Sequence, residues 1–484
     1  MDEANRDIEE LLERAAELRE QFEGRVHERV TERAYAFASE TAQACVTAEP
    51  RKWRDYELWF DKLLTSRATG IPMMLALLGL VFWLTIEGSN VPSAFLEGVL
   101  IEEGGLQGWL ATYFGVENAP AFLNFSLYEG FLGLFNRLNA PFWLTGFLVD
   151  GVYLGLAWVV SVMLPPMAIF FPMFTILEDL GYLPRVAFNM DRFFRAAGAH
   201  GKQALTMAMG FGCNAAGVVA CRIIESPRER LIAILTNNFV PCNGRWPMLI
   251  MAASLFVAAS FSAGWATLAS VATLVAVTLI GIAATLLMSL MLSRTVLKGV
   301  ASSFTLEMPP FRRPQVGRVL YTSFIDRTLF VLWRAVICAA PAGGLIWLLG
   351  TIPVGDVSAF AWLREFLDPI GHFIGLDGVI VIAFVFAIPA NEIVVPTIIM
   401  GYLQGTRMLE LDDPSQLFLD NGWTMTTAVC FMLFSLLHYP CTTTTLTIWK
   451  ETRSVKWTAL SNLLPLVVAV LVCAFVAQAA RLFW

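Results

Sequence analysis

Charge is scarce in this sequence, and that scarcity excludes a soluble globular core. Asp, Glu, Lys and Arg make up 15% of 484 residues, while 57% are hydrophobic; soluble domains carry about 25% charge. Residues 246–293 and 457–480 contain no charged side chain, and at about 20 residues per span the first run alone is long enough for two transmembrane helices. The four histidines, His27, His200, His372 and His438, are too dispersed for a metal cluster. The eight cysteines are scattered, mostly through apolar stretches, which speaks for free thiols and against the disulfide framework of a secreted domain. No basic-then-apolar start marks a cleavable signal peptide, since the first 40 residues are acidic and helical in pattern. The run Gly198-Ala199-His200-Gly201-Lys202-Gln203 superficially suggests a phosphate loop. Ala196 stands where the Walker pattern needs its first glycine, and Gln203 where it needs Ser or Thr. No nucleotide site is expected in this chain, no enzymatic nucleophile–base arrangement is visible, and no nucleic-acid partner is expected.

What remains is an all-α, multi-pass membrane protein. Residues 1–66 form a cytoplasmic amphipathic segment, with Ile8, Leu11, Leu12, Ala15, Leu18 and Phe22 near the helical period. Its 16 acidic residues against 10 basic ones supply most of the formal net charge of −7. The first span is placed at 71–87. Before it stand Arg51, Lys52, Arg54, Lys62 and Arg67; after it, 88–141 holds Glu97, Glu102, Glu103, Glu117 and Glu129 with Arg137 alone. That asymmetry puts the N-terminus in the cytoplasm, and 88–141 becomes an extracytoplasmic interfacial segment. Further apolar segments fall at about 142–177, 204–221, 229–257, 264–293, 328–350, 378–403, 423–440 and 457–482. Pro165-Pro166 leaves 142–177 as one span or two, so roughly eight to ten spans are expected. They fall into a first membrane half (67–320) and a second (321–484).

Several apolar segments are broken at mid-depth: at Gly210-Phe211-Gly212-Cys213-Asn214, at 237–245 around Pro241-Cys242-Asn243-Gly244, at Pro389-Ala390-Asn391-Glu392, and at His438-Tyr439-Pro440-Cys441 followed by Thr442–Thr445. Glycine and proline free backbone carbonyls, which is tolerated inside a bilayer only where protein or a water-filled cavity satisfies them. Paired interrupted helices in corresponding places of two halves point to a midplane transport site. Thiol, amide and carboxylate donors together suit a divalent transition metal better than Na⁺ or Mg²⁺. A lone intramembrane cysteine is ordinarily a small hydrophobe, the reading adopted for Cys221, Cys338, Cys430 and Cys473. Cys213, Cys242 and Cys441 each adjoin a helix breaker and polar neighbours. Glu392 is an ionisable residue within a span, where function is the default and an interhelical ion pair the bland alternative. Glu178-Asp179 closes a long apolar run, as an interfacial anchor or a polar entrance.

At these residues the chain resembles the FeoB-type ferrous iron transporters. The resemblance rests on 176–192 (ILEDLGYLPRVAFNMDR), His200-Gly201-Lys202, the 210–214 break, Arg228-Glu229-Arg230-Leu231, Pro241-Cys242, 307–312 (EMPPFR), Asn391-Glu392-Ile393-Val394-Val395 and Tyr439-Pro440-Cys441, all in that family's order. It implies Fe²⁺ uptake across a prokaryotic cytoplasmic membrane through a core with two gate regions. It carries pathway roles onto Cys213, Cys242 and Cys441, and the family's acidic pair onto Glu178 and Asp179. Members usually begin with a GTPase domain, so the expectation is a permease whose GTPase lies on a separate polypeptide, docking on residues 1–66 and the cytoplasmic loops. This chain departs from the family at Ala215-Ala216-Gly217, where Pro is usual; at Asn391, where Lys is usual; and at Asn243, which adds an amide. The expected transient site is Cys213, Asn214, Cys242, Asn243 and Cys441, with Glu392, Glu178 and Asp179 supplying charge. Transport of another divalent metal or of nucleosides, and a non-transporting assembly role, are the competing readings; homo-oligomerisation is left open.

Overall fold

The computed structural model describes Arg14 and residues 26–45, 52–66, 68–102, 105–115, 125–257, 263–299, 311–407 and 414–483. The amphipathic repeat expected over residues 8–22 lies outside the described residues. The first described helices are α1 (Val26–Cys45) and α2 (Lys52–Thr65). The first membrane helix, α3 (Gly70–Leu100), runs 31 residues and so continues 13 beyond the span expected at 71–87. It packs along α6 (Phe142–Asp179), with Ser89 buried. Residues 88–100 thus continue the first membrane helix. Between them lie the short helices α4 (Gln107–Phe114) and α5 (Leu127–Arg137), the latter started by a reciprocal Ser126–Glu129 capping box.

Residues 142–177 prove to be part of one helix of 38 residues despite Pro165, Pro166 and Pro172. Its length of about 57 Å exceeds the thickness of a hydrocarbon core of about 30 Å. A π-helical stretch, Gly146–Tyr153, begins it. There α14 (Phe330–Thr351), reached through α13 (Val316–Tyr321), crosses at backbone contact. A side chain on Gly151 would meet Gly344 Cα and Trp347 Cβ at 3.0 Å each, and one on Gly343 would overlap the Gly151 carbonyl. Small residues at such crossings let transmembrane helices approach closely.

Side-chain contacts define two ends of the molecule. At the base, Arg185 of α7 (Tyr182–Ala196) pairs with Asp61 at 2.9 Å, Asn189 donates to the Leu64 carbonyl, and Arg222 pairs with Glu451. At the outer end, Tyr128 donates to Asp150, Arg407 reaches Tyr128, and Trp423 donates to Tyr402. Helices α8 (Gln203–Gly212) and α9 (Asn214–Ala220) form a hairpin that starts and finishes at the base and turns at Cys213. The broken helix α10 (Pro227–Thr236) and α11 (Trp246–Ala252) crosses from base to outer end, and α12 (Ala263–Arg294) returns. After α14, a two-stranded hairpin (Pro353–Val354 with Val357–Ser358) leads to α15 (Ala359–Phe373). Then α16 (Gly378–Phe386) and α17 (Val394–Tyr402) form a second hairpin, entering from the outer end and turning at 387–393. The short α18 (Ser415–Asp420) precedes a second broken helix, α19 (Met425–Leu437) and α20 (Thr442–Thr452), which crosses from outer end to base; α21 (Val455–Phe483) returns. The two hairpin-plus-broken-helix units therefore run in opposite directions, the inverted arrangement of secondary transporters.

Among the described residues six helices are long and apolar enough to cross a membrane, or seven if the 104° bent pair α15–α16 is one span. The expectation of eight to ten counted the segments at 204–221 and 229–257 as separate spans. The first is a hairpin of half-length helices, each reaching about 15 Å or less, and the second is the broken helix α10–α11, which crosses from base to outer end. Replacing Gly343 with leucine is expected to lower the stability of the detergent-solubilised protein by about 2–3 kcal/mol, as overpacking does. A thermal unfolding curve unchanged from wild type would contradict the close crossing.

Candidate metal-transit site

The breaks free backbone groups, and at the two broken helices the structure satisfies carbonyls with one residue the sequence reading passed over. Arg245 is fully buried. Its guanidinium donates to the carbonyls of Asn238 and Leu436 at 2.8 Å each, His438 at 3.1 Å and Tyr439 at 3.3 Å, and to Asn238 Oδ1 at 3.1 Å. These carbonyls are the unpaired C-terminal groups of α10 and α19. The positive charge has no carboxylate counter-ion among the described residues; the negative ends of two helix dipoles face it instead. Amides extend the network. Asn237 donates to the Asn214 carbonyl at 3.0 Å, Asn238 to that of His438 at 2.6 Å, and Asn214 to Asn238 Oδ1 at 3.3 Å. His438 Nε2 lies 3.4 Å from Asn391 Oδ1, and the Ile388 carbonyl accepts from both the backbone and the hydroxyl of Thr442. All four breaks are thereby tied to one another.

They converge on a cavity of about 40 Å³, the space of roughly one water molecule. Of the eight residues expected at the site, six line it: Cys213 and Asn214 from the first hairpin tip, Cys242 and Asn243 from the first broken helix, Glu392 from the second tip, and Cys441 from the second broken helix. The Cys441 thiol lies 3.3 Å from the Thr444 hydroxyl. The other two expected residues are elsewhere. Glu178 and Asp179 are exposed at the base end of α6, 11 residues and about 16 Å along the helix from the cavity. Conversely, Met163 and Met167, one turn apart on α6, present thioethers to the cavity. Their i, i+4 spacing beside Pro165-Pro166 was the available signal, but in a 38-residue apolar helix methionine reads as core filling. Arg334, one residue before the lining Ala335, donates to Thr447 at 3.2 Å on the base side of the cavity.

Among the described residues no three His, Cys, Asp or Glu side chains could hold one metal ion. In this arrangement an ion draws on at most two of them, with amide, thioether, carbonyl or water oxygen completing its shell. This is not the closed four-ligand shell of a structural zinc site. Mixed soft and hard donors with incomplete coordination suit a borderline divalent ion in passage.

Inverted broken-helix units around a single-ion cavity define a helical membrane transporter with two gate regions. Comparison with known proteins gives its family. The gate family model, described as nucleoside recognition, matches residues 160–256 and 332–455; that of the ferrous iron transport protein B C terminus matches 274–326. A Fe(2+) transporter FeoB from Staphylococcus aureus (strain MSSA476) is 28% identical over 99% of this chain and 68% of its own length. The Campylobacter jejuni Fe(2+) transporter FeoB is 24% identical over 87% and 65%, and that of Synechocystis 30% identical over 68% and 52%. The chain belongs to the FeoB-type transporters and carries their membrane domain. It spans from about half to two thirds of these relatives' lengths. No solved structure matches it.

Arg245→Lys keeps one charge and three donors but loses the planar fork that spans both broken helices. It is expected to cost about 2 kcal/mol, in line with unsatisfied buried carbonyls at about 1–3 kcal/mol each. Arg245→Met is expected to prevent recovery of monodisperse protein. Wild-type melting of the lysine variant would remove Arg245 from its central place.

Proposed function

We propose that this chain conducts Fe²⁺ across a prokaryotic cytoplasmic membrane. The observation that carries this reading is the meeting of Cys213, Cys242 and Cys441 with Asn214, Asn243 and Glu392 around one ion-sized cavity. Relatives named Fe(2+) transporter FeoB supply the metal. Thiols alone do not distinguish Fe²⁺ from other borderline divalent ions, but a nucleoside is disfavoured at this point. Small-molecule sites run to roughly 300–1,000 Å³, several times this cavity.

The base is read as the cytoplasmic face. Arg185, Arg192, Arg195, Lys202, Arg222, Arg228, Arg230, Arg294, Arg453 and Lys456 cluster there, against Arg137, Arg364, Arg407 and Arg481 toward the outer end. That distribution follows the positive-inside rule. Fe²⁺ then arrives from the outer end, is held briefly by the thiols and amides, and leaves toward the base, where Glu178 and Asp179 offer exposed carboxylates. The membrane halves are divided at about residue 320, and the base surface with the 1–66 segment is proposed to receive a GTPase on a separate chain.

Two experiments test these statements. Anaerobic Fe²⁺ uptake into cells or proteoliposomes is expected to fall at least tenfold in Cys213→Ser and Cys242→Ser; undiminished uptake in the double variant would overturn the site. The exposed Cys45 is expected to resist a membrane-impermeant maleimide in intact spheroplasts and to react after lysis. Labelling before lysis would invert the topology.

A further inference from the structure

A second cavity lies against the first. It measures about 350 Å³ and is bounded by Trp158, Met248, Met251, Val395 and Ile399, on the outer-end portions of α6, α11 and α17. Three residues line both cavities: Gly244, Asn391 and Glu392. Glu392 is the one ionisable side chain in the larger cavity's lining. Its carboxylate rests on Gly244, where a Cβ would lie 2.8 Å from Glu392 Cδ and overlap a carboxylate oxygen. Glycine is therefore what lets the acid occupy the neck.

The two volumes differ in what they admit. At about 30 Å³ per water, an ion with six waters needs about 180 Å³ or a little more. The outer vestibule holds that; the thiol cavity, at about 40 Å³, does not. An ion moving between them must shed its water at the neck, and the oxygens available to replace that water there are the Glu392 carboxylate and the Asn391 amide. Beyond them the donors change to sulfur.

We propose that Glu392, seated over Gly244, is the specificity-determining neck at which a hydrated divalent cation exchanges water for carboxylate before passing to the thiol cavity. A divalent ion that dehydrates reluctantly, as Mg²⁺ does, stops in the vestibule. Removing the side chain joins the two cavities; neutralising it leaves the door shut but takes away the charge that replaces water.

This inference rests on the transport reading above, and its test separates the two. Purified full-length protein is treated with N-ethylmaleimide, and the rate at Cys242 is followed by peptide mass mapping, with Cys430 and Cys473 as internal references. Glu392→Ala is expected to raise the Cys242 rate at least tenfold. Glu392→Gln is expected to leave it within about twofold of wild type while lowering Fe²⁺ uptake at least tenfold. An unchanged Cys242 rate in Glu392→Ala overturns the neck whether or not iron is transported. Loss of uptake in Cys242→Ser but not in Glu392→Gln also overturns it and leaves the thiol site standing. Wild-type uptake in the cysteine variants, with the expected labelling pattern, fails the thiol reading and supports the neck. Should Glu392→Ala not fold, Gly244→Ala supplies the same test, with uptake expected to fall at least tenfold and normal uptake overturning the proposal.

Discussion

The geometry of this protein depends on how a bilayer-embedded chain settles the carbonyls left open when helices break inside it. Water is not available to most of them, and each unsatisfied group costs several kcal/mol in hydrocarbon. Arg245 settles four at once, from two broken helices that run in opposite directions. A lysine has no comparable reach, and a neutral amide has too few donors. A carboxylate partner for the arginine would also place a fixed anion in the network, where the dipole ends of α10 and α19 supply partial charge without one. The breaks can therefore persist, and with them the cavity.

Once the breaks are fixed, the rest of the site follows. Half-helices of about 15 Å bring their turns to mid-depth from either face, so residues nearly 230 positions apart, Cys213 and Cys441, share one cavity. The same construction explains the alternation of volumes. Outside the thiol cavity the walls are apolar and wide apart; where the second hairpin tip meets the first broken helix they close to Glu392 and Gly244. Specific passage needs a binding strength sufficient for admission and weak enough for release. A shell that offers at most two strong ligands at a time meets that need better than a closed one.

Much of this was legible in the chain itself, and the parts that were not have particular reasons. Cys213, Cys242, Asn243 and Cys441 were marked because each adjoins a glycine or proline in an apolar run, Asn214 because it shares the Cys213 break, and Glu392 because it is ionisable within a span, and local chemistry is visible at that range. Met163 and Met167 were missed because an apolar side chain on an apolar helix carries no local contrast. Arg245 was overlooked because it ends a polar break and looks like a solvated charge; only the fold shows five acceptors around it. Glu178 and Asp179 were grouped with the site by motif, yet a continuous helix sets them about 16 Å away. Hydropathy scores a half-helix and a full span alike, so it did not show that 204–221 is a hairpin that returns to the base.

The sequence by itself determined that the chain lives in a membrane, where its helices break, and which donors stand at the breaks. These follow from composition and from the backbone preferences of glycine and proline, which act over a few residues. Tertiary structure alone decided that the two units are inverted, that Pro165-Pro166 does not interrupt its helix, and that one glutamate separates a wide cavity from a narrow one. Those outcomes depend on which distant carbonyl meets Arg245, which glycine admits a neighbour's backbone, and how far α6 continues, and no local stretch of sequence specifies such pairings.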